Sequence, residues 1–194
     1  MTPAIFLSAS VPDVQRDPKY HTTADRVAIR DATRALVTVA LPYMRLVWGG
    51  HPAITPLVRV IAEDIGIVGA DKVRLYQSNY FRRQMPKDNA AFEKVIRTRA
   101  VKNDQGPSLE RMRREMLGSE KFYAGVFIGG MEGVEEEYAM FRELHPSALA
   151  LPIASTGAAA LIIYKNSGEQ FPTDLETDLA YPSLFRRLLN IPAS

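Results

Sequence analysis

Residues 125–141 read GVFIGGMEGVEEEYAMF, and the rest of the chain is organised around them. Val126, Phe127 and Ile128 form a short apolar run of the kind a buried strand carries. Gly129 and Gly130 end it. Beyond them Glu135, Glu136 and Glu137 enter a helical pattern, with Val134, Tyr138 and Phe141 at i, i+4 and i+7 on one face. The unit is strand, glycine turn, helix. Such a turn leaves backbone N–H groups free at a helix N-terminus, where an anion docks. Glycines there let a phosphate or a sugar approach the backbone closely. Carboxylates in a first helical turn also suit the helix dipole, so a purely structural role stands beside a functional one for each of them.

A second double glycine, Gly49-Gly50, directly follows another apolar run, Leu46-Val47-Trp48. Working outward, Ala4 to Leu7 predicts a first strand, ending in the small hydroxyl residues Ser8 and Ser10. Asp13 to Thr23 is polar and reads as a loop. Asp25 caps a helix expected over Arg26 to Leu41, and Pro42 stops it. Arg45 to Trp48 is the second strand, and Thr55 to Glu63 opens the next helix with Pro56 in its first turn. Val73, Leu75 and Tyr76 mark a third strand, and Val95 and Ile96 a fourth. Between them Asn79 to Asp88 reads as a loop, and Asn89 to Glu93 as a helical turn. Arg99 to Pro107 reads as a flexible loop able to cover a site. Ser108 to Leu117 is helical, with Leu109, Met112 and Met116 inward and Arg111, Arg113 and Arg114 on the other faces. Leu149 to Ala154 is the sixth strand, Ser155-Thr156-Gly157 opens a helix from Ala158 to Tyr164, and Ser183 to Leu189 is the last helix.

Strands alternating with helices predict a single α/β domain over residues 1–194. The expected fold is Rossmann-like and three-layered, with a mainly parallel sheet of about six or seven strands and helices on both faces. Such sheets bind ligands at the carboxyl ends of their strands, near a switch in strand order. The segments Ser8–Ser10, Gly49–Thr55, Gly129–Glu137 and Ser155–Gly157 then share one edge, rich in glycine and hydroxyls. That is an environment for phosphate and sugar.

Composition removes other classes. Lys and Arg number 24 against 22 Asp and Glu, a net charge of +2, too balanced to imply nucleic acid or a membrane surface. The chain has no cysteine, which excludes disulfides, thiol nucleophiles and cysteine metal sites and suits the cytoplasm. The N-terminus lacks the basic segment of a signal peptide, and no run approaches the roughly 20 apolar residues of a membrane span. Neither HExxH, an aspartate cluster, a GxSxG elbow nor a P-loop is present, so no metal and no cofactor is expected. Neither double glycine completes GxGxxG. His51 could donate to a phosphate or titrate near neutrality, but a turn histidine is more often structural; His21 and His145 have no companion ligands.

The motif GGMEGVEEE resembles the PGGxGTxxE signature of the LOG, or lysine-decarboxylase-like, family. VWGGHPAITPLV resembles that family's first glycine motif and the helix after it. Both point to the wider SLOG superfamily of Rossmann-like nucleotide-binding domains. The resemblance spans most of the chain in element order and is sharp at these two motifs. Ile128 stands where the family has proline, one residue is inserted after Gly130, and Val134 replaces the phosphate-binding threonine. The chain is thus similar to a divergent branch. The resemblance implies a bacterial, cytoplasmic homodimer that takes a nucleotide-like small molecule. Its hydrolases release a free base from a nucleoside monophosphate through a glutamate and an arginine. These map to Glu137, with Glu136 beside it, and to Arg113 or alternatively Arg114. The ligand cleft would be lined by Ser8, Ser10, Gly49, Gly50, Thr55, Gly129, Gly130, Gly133, Ser155 and Thr156. Two readings follow: a module that binds or senses a nucleotide-derived ligand, or an N-glycosidase. A structural protein with a vestigial cleft is the bland third.

Overall fold

The computed structural model describes residues 2–67 and 72–192. In chain order the elements are β1 (Ala4–Ser10), α1 (Pro18–His21), α2 (Arg26–Ala40), β2 (Arg45–Trp48), α3 (Thr55–Asp64), β3 (Val73–Ser78) and β4 (Val95–Thr98). Then follow α4 (Gln105–Leu117), β5 (Phe122–Gly129), α5 (Glu132–Leu144), β6 (Leu149–Ile153), α6 (Ala158–Asn166), α7 (Asp174–Thr177) and α8 (Tyr181–Leu188).

The strands form one six-stranded sheet in the order β4-β3-β2-β1-β5-β6, and every pairing is parallel. The chain winds outward from β1 to β4, then crosses back through α4 to place β5 on the other side of β1. The strand order therefore switches between β1 and β5, where a crevice opens in sheets of this kind.

Two cores cover the two faces. Because side chains alternate along a strand, Ile5 and Leu7 enter one core while Ala4 and Phe6 enter the other. The first core takes the apolar faces of α2, α3 and α8 through residues such as Ile29, Leu36, Val58 and Leu184. The second takes α4, α5 and α6 through Met112, Met116, Phe141 and Ile163. This is a three-layer, Rossmann-like α/β fold.

Local signals explain the boundaries. Asp25 accepts from the backbone N–H groups of Val27 and Ala28, both at 2.9 Å, and so caps α2. Several stretches differ from the sequence reading, among them Asn79–Phe81 and Lys87–Ala91, which form short 3-10 turns. Within Asp13–Thr23, α1 forms because Asp17 accepts from the Lys19 N–H at 3.0 Å and Pro18 fits the first turn. The stretch Arg99–Pro107 is tied rather than loose. Asp104 caps α4 by accepting from the Gly106 N–H at 3.1 Å, and the buried Ser108 hydroxyl accepts from the Val101 N–H at 2.9 Å. Finally, α5 begins at Glu132, a turn earlier than the glutamate run suggests.

Candidate functional site

A cleft of about 900 Å³ lies at the carboxyl edge of the sheet, over the switch between β1 and β5. Its floor is the end of β1. Ser8 and Ser10 are buried there, with Ser8 paired to Phe127 and Ser10 to Gly129 in the ladder to β5.

Glu137 is the centre of the polar network. It lies one turn before Phe141 on α5, the helix face anchored in the second core, so its side chain returns toward β1. Ser8 Oγ donates to Glu137 Oε2 at 2.6 Å. Arg113 Nε, from α4, donates to Glu137 Oε1 at 3.4 Å, and Arg113 Nη1 also contacts Glu136. The Arg113 and Glu137 side chains are 11% and 14% exposed, whereas Glu136 is 57% exposed. Burial raises the Glu137 pKa above the usual carboxylate value, and the Arg113 charge and the Ser8 hydroxyl pull it back. The result is a carboxylate held in one orientation, largely out of water.

Geometry also separates the arginines. Arg111 and Arg114 pair along α4 with Glu115 and Glu110, at 2.8 and 3.2 Å. Arg113 alone of the three reaches Glu137. Gly133 makes this possible, since a Cβ there would fall 2.9 Å from Arg113 Nη2. The guanidinium lies across the first turn of α5, which no side chain caps. Glu135 points elsewhere and pairs with Lys19 at 3.6 Å.

Eight of the residues named from sequence meet in this cleft: Ser8, Ser10, Gly49, Gly50, Arg113, Gly133, Glu136 and Glu137. The other five, Thr55, Gly129, Gly130, Ser155 and Thr156, lie outside its lining. The buried Thr55 hydroxyl accepts from the His51 N–H at 3.1 Å. Gly129 and Gly130 have φ of 56° and 89°, and a Cβ on either would run into Ile29 or Val134. Thr156 Oγ1 accepts from the Gly129 N–H at 2.8 Å, locking the end of β6 to the end of β5. Ser155 pairs with the Tyr181 hydroxyl at 3.1 Å.

The end of β3 supplies lining residues that the sequence reading passed over, chiefly Gln77 and Ser78, with Phe81 just beyond. The rule that ligands sit at the carboxyl ends of strands applied to β3 as much as to β1. The polar and aromatic stretch after it carries no glycine to mark it as a ligand turn.

The ionised lining residues are Arg16, Glu110, Arg113, Glu132, Glu136 and Glu137. Both arginines are paired, Arg16 with Glu132 at 2.8 Å and Arg113 with the α5 glutamates. No cluster of side chains suited to a metal ion occurs among the described residues. No helix of these residues is long and apolar enough to cross a membrane.

A wholly parallel sheet, helices on both faces and a cleft at the switch in strand order define a Rossmann-like α/β domain. The SLOG cluster3 family is matched over residues 19–189, most of the chain, and the protein belongs to that family. No curated protein and no solved structure matches it.

Proposed function

We propose that the protein binds a nucleotide-derived ligand in the cleft over β1 and β5. The observation that carries this reading is the Ser8–Glu137–Arg113 network, set on the switch point of the sheet. A fixed carboxylate accepts hydrogen bonds from sugar hydroxyls, and an arginine holds a phosphate by charge-assisted bonds. The uncapped first turn of α5 supplies further N–H donors for an anion. Val134 favours binding over turnover: it is 4% exposed, packs against the core and offers no hydroxyl to a phosphate.

Arg113→Ala is expected to weaken binding of a nucleoside monophosphate by roughly 1.5–3 kcal/mol, the worth of a hydrogen bond to a charged group. Titration calorimetry measures it. An unchanged affinity would remove Arg113 from the site.

One observation keeps a hydrolytic reading alive. Glu137 is a buried carboxylate whose pKa is raised, the state in which such a group serves general acid–base or ion-stabilising chemistry. If the protein cleaves the N-glycosidic bond, Glu137→Gln should abolish release of free base while largely sparing binding. Chromatography after incubation with a panel of nucleoside monophosphates distinguishes the two. Base released by the wild type and not by the variant establishes hydrolysis. Binding without release establishes a module that senses or sequesters its ligand.

A further inference from the structure

The end of the cleft over β2 and β3 differs in chemistry from the end over β1 and β5. Every ionised lining residue comes from the segment after β1, from α4 or from α5. The lining contributed by β2, β3 and the segments after them carries no ionised side chain; it includes Trp48, His51, Gln77, Ser78, Phe81 and Gln84.

Two of these residues are held so that one polar atom of each is committed and the other is left over. Gln77 Nε2 donates to the Gly49 carbonyl at 2.7 Å. A carbonyl only accepts, so the amide orientation is fixed and Oε1 remains as an acceptor. The turn wraps tightly around this amide: Gly50 has φ of 70°, and a Cβ there would fall 2.2 Å from Gln77 Nε2. On the other side, His51 Nδ1 accepts from the Ala53 N–H at 3.2 Å. A backbone N–H only donates, so the proton of the neutral ring sits on Nε2. Burial lowers the His51 pKa, which favours the neutral ring. Neither Gln77 Oε1 nor His51 Nε2 is hydrogen-bonded among the described residues.

We infer that this end of the cleft seats the nucleobase of the ligand, with His51 Nε2 donating to the base edge and Gln77 Oε1 accepting from it. The inference rests on the nucleotide reading above and adds the orientation of the ligand. A phosphate monoester is mostly dianionic at neutral pH and would face Gln77 Oε1 with its own lone pairs. A base edge carries donors and acceptors side by side. Phe81, partly exposed at this end, adds aromatic surface of the kind on which a base packs. The sugar and the anionic group then lie toward Glu137, Arg113 and the start of α5. Three strand spacings separate β3 from β5, roughly 14 Å along the edge, enough for base, sugar and phosphate laid out in that order.

Calorimetry with adenosine, guanosine, cytidine and uridine monophosphates, and with ribose 5-phosphate as the ligand lacking a base, tests this. The wild type should bind at least one nucleoside monophosphate at least about tenfold more tightly than ribose 5-phosphate. His51→Phe and Gln77→Met, which keep the side-chain size and remove the polar atoms, should each weaken that nucleotide by roughly five- to tenfold, about one net hydrogen bond. Binding of ribose 5-phosphate should not change. Gln77→Met also releases the Gly49 carbonyl; if it fails to fold, His51→Phe and the wild-type comparison still decide. Equal affinity of the wild type for nucleotides and ribose 5-phosphate, or variants that weaken both alike, would overturn the base seat and leave the nucleotide cleft standing. No binding of any of the five by the folded wild type would overturn both.

Discussion

Phe141→Ala should cost the fold roughly 3–5 kcal/mol, the range for truncating a fully buried aromatic residue. Phe141 is fully buried, and its ring centroid lies 5.9 Å from Phe6, 6.0 Å from Phe122, 5.8 Å from Phe127 and 5.2 Å from the His145 ring. Beneath it, Gly125 removes the Cβ that would otherwise sit 2.8 Å from Phe141 Cζ. Its neighbours come from β1, β5 and α5 itself, elements whose backbones cannot collapse inward to fill the void. The loss falls on the helix that presents Glu137, so the site should loosen with the core. Urea denaturation reads the effect as a lowered midpoint, with Glu143→Ala as the control. The Glu143 side chain is 64% exposed, and its removal should change stability by no more than about 0.5 kcal/mol. A Phe141→Ala loss below about 1 kcal/mol would show that α5 is not anchored as described.

Gly157→Ala should destabilise the fold by at least about 3 kcal/mol. Gly157 has φ of 71° and ψ of −159°, a region essentially reserved for glycine. A Cβ there would lie 1.8 Å from the Thr23 carbonyl oxygen and 2.6 Å from the Thr23 carbonyl carbon. Both obstacles are backbone, so no rotamer change relieves them. The seam is also hydrogen-bonded: the Asp25 N–H donates to the Thr156 carbonyl at 3.2 Å, and the Ala158 N–H to Thr23 Oγ1 at 3.0 Å. Moving Gly157 away from Thr23 would break both bonds and disturb the capped start of α2. The same denaturation experiment reads it, and a stability near that of the wild type would contradict this account of the seam.

That seam marks where the sequence stopped being legible. Apolar runs ending in small residues located β1, β2 and β5, because period and punctuation are local properties. The parallel order follows from alternation with helices, and the family from the two glycine motifs. What a side chain does at the end of a strand is set by what stands opposite it. Ser8 and Thr156 look alike in sequence, each a hydroxyl after an apolar run. Ser8 meets Glu137 across the switch in strand order, whereas Thr156 meets the Gly129 N–H and ties the end of β6 to the end of β5. The choice among Arg111, Arg113 and Arg114 likewise depends on the placement of α4 against α5. The missing Cβ of Gly133, which makes room for Arg113, was in plain view but had no partner until the two helices were packed. Gln77 is hidden for a related reason, and His51, visible in the sequence as a turn histidine able to donate, shares it: each gains its role only from the backbone group that fixes its other polar atom.

If the cleft over β1 and β5 takes a nucleotide-derived ligand through Arg113 and Glu137, as proposed, binding must depend on Arg113. The most direct measurement is calorimetric titration of the wild-type protein with nucleoside monophosphates, repeated with Arg113→Ala. The account predicts saturable binding of at least one of them, weakened in the variant by roughly ten- to 150-fold, the equivalent of a hydrogen bond to a charged group. Folded wild-type protein that gives no binding heat with any nucleotide would contradict it, as would binding that Arg113→Ala leaves untouched.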